Sequence, residues 1–196
     1  MAETIANRFF FFPLFLLLST AAATSNNNSS DFIRRSCSIT LYPRLCYASL
    51  APYATAVQQN PAKLATAAAT VSLAKIHDAS LLAATLQPSC AGRLGAAMRD
   101  CVKVLGTAAD LTKQSAAEMG KVGEATRTGG SGGMAWEVSN AQTWMSAAMT
   151  NEETCIDGFD GVSAVRGAKV MADRVGGVKK YTSNALALLN VLAHGS

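Results

Sequence analysis

The stretch RLGAAMRDCVKVLGTAADLTKQSAAEMGKV, residues 93–122, decides the fold class of this chain. Apolar or small residues recur along it in steps that alternate between four and three. Because an α-helix has about 3.6 residues per turn, this spacing places them all on one side of a helix. The stretch therefore predicts one long amphipathic helix. The positions of this stripe are Leu94, Met98, Cys101, Leu105, Ala108, Thr112, Ser115, Met119 and Val122.

Three more stripes with helical spacing flank the first, over roughly 61–87, 134–160 and 169–193. Pro61 suits a first helical turn and Pro88 ends a helix. We expect Gly176-Gly177 to break or delay the last helix, because glycine costs about 1 kcal/mol within a helix. The stripes are Leu64, Ala68, Val71, Ala74, Leu81 and Leu82; Val138, Ala141, Met145, Ala148, Glu152, Cys155 and Phe159; and Met171, Val175, Val178, Ala185, Leu188, Leu189 and Leu192.

Four stripes joined by short polar links predict an all-α protein, an up-down-up-down four-helix bundle over 61–194. Residues 31–56 predict a small helical hairpin that folds against it, so that 31–194 form one domain. Aromatic residues make up 7% and β-branched runs are absent, which weighs against an all-β or nucleotide-binding α/β protein. The net charge of +4 is too mild and too scattered to predict a nucleic-acid partner.

Residues 1–23 have the pattern of a secretory signal: an arginine, an apolar run from Phe9 to Leu18 and a small-residue stretch ending at Ala23. The alternative, a membrane anchor, would need about 20 apolar residues. We expect a secreted protein with no membrane contact after cleavage. Residues 24–30 predict a disordered N-terminus in which Asn27 or Asn28 begins a glycosylation sequon.

A secreted chain folds in an oxidising compartment, so its five cysteines are read first as disulfides. Two bridges among five cysteines can be drawn in 15 ways. The positions of the cysteines along the chain reduce the number of plausible pairings. Cys37 and Cys46 lie nine residues apart around Pro43, and a local bridge is the simplest pairing.

The register of two antiparallel helices selects the second pairing. If Gly129 marks the tip of a helix hairpin, Cys101 lies 28 residues before it and Cys155 lies 26 after it, so the two are nearly level. Cys90 would be about 15 Å out of level, whereas the Cα atoms of a disulfide lie within about 7 Å. We therefore expect Cys101–Cys155, with Cys90 as a free thiol; an intermolecular bridge through Cys90 is the less favoured alternative.

Sites for catalysis or metal binding are weak in this sequence. His77 and His194 share no ligand spacing. Residues 129–133, GGSGG, match the G-x-S-x-G pattern, but Ser131 lacks the preceding strand that such a nucleophile requires. We expect no catalytic residue, no metal and no cofactor. Four carboxylates near the end of the third helix are expected to be solvated: Glu152, Glu153, Asp157 and Asp160.

Four segments in order resemble the plant invertase and pectin methylesterase inhibitor family. They are Cys37–Cys46 around T-x-Y-P, Met98–Cys101 with Ala108–Leu111, Thr143–Phe159, and the SNALAL of Ser183–Leu188. The resemblance implies a four-helix bundle with an N-terminal hairpin, and bridges from the first framework cysteine to the second and from the third to the fourth. It also implies a protein that inhibits an extracellular enzyme and is not an enzyme itself.

The SNALAL element, together with the absence of a Pro-Lys-Phe loop, favours pectin methylesterase as the target. The resemblance implies a one-to-one complex in which bundle helices block the pectin-binding cleft. The matching positions imply contacts from Asp110, Asn151, Thr154 and Asp157, although the last three can instead cap or terminate a helix. Lys103 stands where the family often has an acid, so a charge reversal there affects the choice of esterase.

Other functions remain open at this point. An inhibitor of cell-wall or vacuolar invertase is the alternative within the family. A small helical carrier of apolar ligands and a hydrolase that uses Ser131 are alternatives from other classes. The sequence pI of 8.9 also suggests a weak, salt-sensitive contact with anionic pectin.

Overall fold

The structure is a computed structural model that describes residues 28–127 and 134–194. The proposed signal segment 1–23, Asn27 and Ser131 lie outside the described residues. Within the described ranges the chain forms α-helices and short 3₁₀ turns and contains no strand. The helices are α1 (28–37), α2 (Pro43–Leu50), α3 (Ala54–Val57), α4 (Pro61–Leu86), α5 (Gly92–Arg127), α6 (Met134–Asp157) and α7 (Arg166–His194).

The four long helices, α4 to α7, form a closed ring. Each packs against the next along the chain, and α7 packs back against α4. The all-α, up-down-up-down bundle predicted from the sequence is thereby confirmed, and α2 lies across α4 and α7 as part of the N-terminal extension. Helix α4 begins at the predicted proline, where the side chain of Asn60 accepts a hydrogen bond of 3.0 Å from the backbone N–H of Lys63.

The predicted stripes of α5 and α6 point inward, and all their positions are buried except Leu94, which is half-buried. The predicted stripe of α4 is wrong in part, since Ala74 is exposed and Leu81 is 67% exposed. Alanine is the commonest residue of this helix and lies on every side of it, so an apolar residue such as Leu81 is a poor guide to the buried side. Its inward positions include Ala65, Ala69, Ser72, Ile76, Ala79 and Ala83.

Helix α7 runs without interruption through Gly176-Gly177, so the predicted break is wrong. The glycines lie between Val175 and Val178, which are both buried in the core. Burial of such side chains contributes about 1.5–3 kcal/mol each, which offsets the helix propensity lost at the glycines.

Helix α1 begins earlier than the predicted boundary at residue 31. Residues 28–30 form its first turn, which corrects the expected disorder for these three residues. Ser29 is buried one turn before Ile33, and Ile33 is buried one turn before Cys37, so this end of the hairpin packs into the core. Asn28 is exposed at the start of the helix.

Two disulfides hold the fold, and both are the pairs predicted from the sequence. Cys37 joins Cys46 across the hairpin with the Cα atoms 5.6 Å apart, and Cys101 joins Cys155 with the Cα atoms 4.4 Å apart. Cys90 is a half-buried free thiol, whose Sγ donates to the carbonyl of Leu86 at 3.3 Å.

The hairpin is attached to the bundle by a reciprocal amide contact. The Oδ1 atom of Asn184 accepts from the backbone N–H of Tyr42 at 3.2 Å, and its Nδ2 donates to the carbonyl of Tyr42 at 3.1 Å. Asn184 is 3% exposed, so both bonds are sheltered from water. This side chain belongs to the SNALAL element and joins residues 142 apart in sequence.

Substitution Asn184→Ala removes both hydrogen bonds and leaves the backbone N–H of Tyr42 without its acceptor, whereas the carbonyl of Tyr42 still accepts from the backbone N–H of Cys46 at 2.9 Å. We expect a loss of about 1–3 kcal/mol in the free energy of unfolding and faster proteolysis between α1 and α2. Urea unfolding and limited proteolysis would measure these effects. Ser183→Ala, the adjacent half-buried position, is the control and should change neither; equal behaviour of the two variants would contradict the role of Asn184.

Candidate functional site

The outward face of α6 carries a line of short polar side chains. Its members are all exposed and follow steps of four and three, so they lie on one side of the helix. The α6 hydroxyl stripe, as we call it, consists of Ser139, Thr143, Ser146, Thr150, Thr154 and Asp157.

The threonine hydroxyls of the stripe are held in place by their own helix. Thr143, Thr150 and Thr154 donate to backbone carbonyls four residues earlier, at 2.9, 3.2 and 2.9 Å. A hydroxyl that has donated its single proton keeps lone pairs with which to accept. Short, fixed side chains also lose little conformational entropy on binding. The stripe is therefore a stiff surface of hydrogen-bond acceptors.

Trp136 lies at the other end of this surface. It is 71% exposed and precedes Ser139 by three residues, which places it on the same side of α6. From Trp136 to Asp157 the face extends about 31 Å at 1.5 Å per residue. Trp136 was not among the predicted contact residues, although its spacing from the serines and threonines of the stripe is visible in the sequence.

The structure places the predicted contact residues in two groups. Thr154 and Asp157 belong to the stripe, and Asn151 is half-buried beside it. The Nδ2 atom of Asn151 donates to the carbonyl of Ala147 at 2.8 Å, so neither Asn151 nor Thr154 caps a helix end. Asp157 is the last residue of α6.

Lys103 and Asp110 form the second group, exposed on α5. They are seven residues apart and share a face of that helix. Since the Cys101–Cys155 bridge sets the level between the two helices, Asp110 is level with residue 146. It therefore lies about 12 Å along the bundle axis from the level of Thr154. Asp110 and Thr154 are therefore both exposed but do not form one cluster.

A buried polar layer lies behind this face. Thr182 of α7 donates to Oε1 of Glu152 at 2.6 Å, and the hydroxyls of Ser72 and Thr182 are 2.7 Å apart. Because Thr182 gives its proton to the carboxylate, Ser72 is the donor of the second bond. The second oxygen of Glu152, Oε2, is buried and has no hydrogen-bond partner.

The expectation of a solvated carboxylate cluster is wrong for Glu152, which is 0% exposed. It occupies an inward position of α6, so the bundle buries it. Its neighbour Glu153 forms an ion pair with Lys179, and Asp157 and Asp160 are exposed as expected. Burial raises the pKa of Glu152 to about 7, while the Thr182 hydrogen bond and the charge of Lys179 act in the opposite direction.

The described residues do not form a metal site. His77 is exposed on α4, and within the described ranges no three His, Cys, Asp or Glu side chains lie close enough to hold a metal ion. None of the helices in the described part of the chain is long and apolar enough to cross a bilayer.

Comparisons with known proteins cover most of the bundle and most of the hairpin. The profile of the family described as plant invertase/pectin methylesterase inhibitor matches residues 31–188. Pectinesterase inhibitor 9 of Arabidopsis thaliana is 40% identical over 169 residues, covering 83% of this chain and 80% of that protein. The 21 kDa protein of Daucus carota is 36% identical over 167 residues, covering 84% of each.

A solved structure shares the fold. The crystal structure of mutant form A of a pectin methylesterase inhibitor from Arabidopsis aligns with a TM-score of 0.60 at 18% identity. The alignment covers 79% of this chain and 92% of that one.

The buried carboxyl of Glu152 makes stability depend on pH. A carboxyl whose pKa is raised by folding binds its proton more tightly in the folded state than in the unfolded state. The free energy of unfolding should therefore fall, by roughly 3 kcal/mol, as the pH rises from about 4.5 to about 7. Urea unfolding at a series of pH values would measure this slope.

Substitution Glu152→Gln should flatten the profile over that range, because the amide does not titrate. Asp100→Asn, which neutralises an exposed carboxylate on α5, is the control and should keep the wild-type slope. A wild-type slope that survives in Glu152→Gln would contradict the assignment.

Proposed function

The chain belongs to the plant invertase and pectin methylesterase inhibitor family, and from that premise we propose that it is a secreted inhibitor of pectin methylesterase. The observation that carries the choice of target is its similarity to proteins named pectinesterase inhibitors. In this proposal the chain performs no chemistry, and it regulates how far the methyl esters of cell-wall pectin are removed.

Inhibition is by occlusion in a one-to-one complex. The α6 hydroxyl stripe lies against the rim of the esterase cleft and excludes pectin from it. A surface of fixed acceptors is complementary to donors such as Arg, Lys, Asn and Tyr on the enzyme. Trp136 supplies apolar area at the end of the stripe, in the manner of the aromatic anchors common in protein interfaces.

Asp157 supports this role through its position. A carboxylate at the C-terminal end of a helix is disfavoured, because the helix dipole places partial negative charge there. Asp157 is nonetheless exposed at the end of α6, with no partner within the described residues. We assign its carboxylate, with Thr154 and Asn151, to the contact with a basic or donor-rich region of the enzyme.

Lys103 and Asp110 extend the contact onto α5 and affect which esterase is bound. Opposite charges across an interface speed association and like charges oppose it. Lys103 is exposed and has no acidic partner within the described part of the chain. It therefore favours an esterase with an acidic region opposite this position.

The site of action is the apoplast. Segment 1–23 directs the chain out of the cell and is removed, and Asn27 or Asn28 carries a glycan in the mature N-terminus. The net charge of +4 adds a weak, salt-sensitive attraction to anionic pectin, where the esterase works.

Titration of the mature protein against plant pectin methylesterases tests the proposal directly. We expect esterase activity to fall in proportion to inhibitor until one equivalent is present. Parallel titrations with cell-wall and vacuolar invertase distinguish the two activities of the family. Loss of invertase activity with every esterase unaffected would overturn the proposal.

The double variant Thr154→Ala, Asp157→Ala should raise the inhibition constant for esterase about tenfold or more, because it removes a hydroxyl and a carboxylate that accept hydrogen bonds from the enzyme in the proposed contact. Thr70→Ala is the matched control: Thr70 is exposed on α4 and donates to the carbonyl of Thr66 at 2.9 Å. An unchanged inhibition constant in the double variant, with its fold intact by circular dichroism, would remove this face from the interface.

The charge at Lys103 should select among esterases. Lys103→Asp is expected to strengthen inhibition of basic esterases and weaken inhibition of acidic ones, and the difference should shrink at high salt. Lys113→Asp, the same charge change at another exposed position of α5, is the control. Equal effects of the two substitutions would indicate net charge rather than a specific contact.

A further inference from the structure

An open groove lies along the α4–α7 edge of the ring, opposite the α5–α6 edge. Its first lobe, of about 410 Å³, includes Lys75, Arg174 and Lys180. Its second lobe, of about 430 Å³, includes Tyr53 and Val71, where α2 and the turn after it cross the bundle. Leu45, Lys75 and Tyr181 line both lobes, so the lobes adjoin each other, and we call the two together the α4–α7 groove.

Gly177 keeps the first lobe open. It lines the groove between Arg174 and Tyr181, and a Cβ atom built on it would meet nothing within 4 Å. Close helix packing therefore does not require a glycine here, although glycine is a poor helix former. The absence of a side chain leaves space in the groove that the fold does not use.

The groove carries an excess of positive charge. Lys75 lies 3.8 Å from Asp78, and Asp173 lies 3.2 Å from Lys169, so both acids of the first lobe already have basic partners. Arg174 is exposed and has no carboxylate partner among the described residues. The charge of Lys180 is similarly uncompensated there, with its Nζ 5.6 Å from the centre of the Tyr42 ring.

Aromatic rings stand beside these cations. The Nζ atom of Lys75 lies 5.9 Å from the centre of the Tyr181 ring, and Tyr53, 37% exposed, borders the second lobe. A tyrosine ring offers an apolar face to the C–H groups of a sugar, and its hydroxyl can pair with sugar hydroxyls. Guanidinium and ammonium groups bind carboxylates. The combination fits a polymer with both sugar rings and carboxylates.

We propose that the α4–α7 groove binds a chain of acidic sugars, with Arg174 and Lys180 on the uronate carboxylates and the Tyr181 and Tyr53 rings on the sugar faces. The choice of galacturonate among such polymers rests on the proposed function, since a pectin methylesterase leaves free carboxylates on pectin. The groove lies on the opposite edge from the α6 hydroxyl stripe, so the polymer and the esterase can be held together. The inhibitor is thereby concentrated where pectin has already been de-esterified.

Binding to polygalacturonate, without any enzyme present, tests the inference. We expect the mature protein to bind the de-esterified polymer at low salt, to bind the fully methyl-esterified polymer at least about tenfold more weakly, and to dissociate as salt is raised. Equal binding to both polymers would overturn the inference, because carboxylates would then not be recognised.

Two variants locate the site. Arg174→Ala with Lys180→Ala should weaken binding of the de-esterified polymer about tenfold. Gly177→Leu should weaken it without changing charge, because the leucine fills the first lobe, and circular dichroism should show an intact helix. The control Arg99→Ala with Lys113→Ala removes the same two charge types from exposed positions of α5. Equal loss in the control, or full binding by Gly177→Leu, would overturn the groove assignment.

Esterase titrations separate this inference from the proposed function. The groove variants should inhibit esterase as the wild type does. If they lose inhibition along with polymer binding, the groove is an esterase contact and the inference is wrong. If wild-type protein binds polygalacturonate but inhibits no esterase, the inference stands and the proposed function fails.

Discussion

The covalent alignment of α5 and α6 is the constraint on which the rest of the molecule depends. Cys101 and Cys155 lie on the inward stripes of their helices, with the Cα atoms 4.4 Å apart. The bond fixes both the level and the rotation of one helix against the other, so it decides which side chains of α6 face outward. In the chain-entropy description such a loop contributes about 4 kcal/mol. That is a large share of a typical net stability of about 5–15 kcal/mol.

The core within this frame is divided. One apolar cluster joins the hairpin to the adjoining half of the bundle, and a second surrounds the Cys101–Cys155 bridge. Between Ala69 and Ile76 on α4, and between Val178 and Ala185 on α7, the inward positions are Ser72 and Thr182. With Glu152 they form a hydrogen-bonded polar layer between the two apolar clusters. Sliding a helix by one turn would separate these partners, so the layer favours a single register.

Much of the fold was predictable because its signals are periodic. The stripes of α5 and α6 follow a strict helical spacing, and the disulfide level follows from counting residues to the hairpin tip. The buried side of α4 was harder to predict, since a helix rich in alanine has apolar residues on every side. The predicted break at Gly176-Gly177 was wrong because helix propensity is a local property. The buried valines on either side of the glycines hold the helix together through tertiary packing.

The candidate site was predicted in part. Thr154 and Asp157 came from matching family positions, and the structure places them on one stripe with exposed hydroxyls that sequence reasoning had not connected. The α4–α7 groove depends on three separate segments, α2, α4 and α7, that approach each other only in the folded chain. The spacing of Arg174, Gly177 and Tyr181 along α7 was a visible signal, but Tyr53 and Lys75 lie more than 90 residues away in sequence.

The contact between Tyr42 and Asn184 also determines when the hairpin can dock on the bundle during translation. Translation produces the hairpin first and its anchoring amide 142 residues later, in the last helix. During that interval the apolar side of the hairpin, with Ile33 and Leu50, has no complete surface to cover it. The Cys37–Cys46 bridge closes a loop of nine residues and needs nothing downstream, so it can preserve the shape of the hairpin until docking. Capture of the nascent chain by chaperones is expected to concentrate on this segment and to end when the final helix emerges.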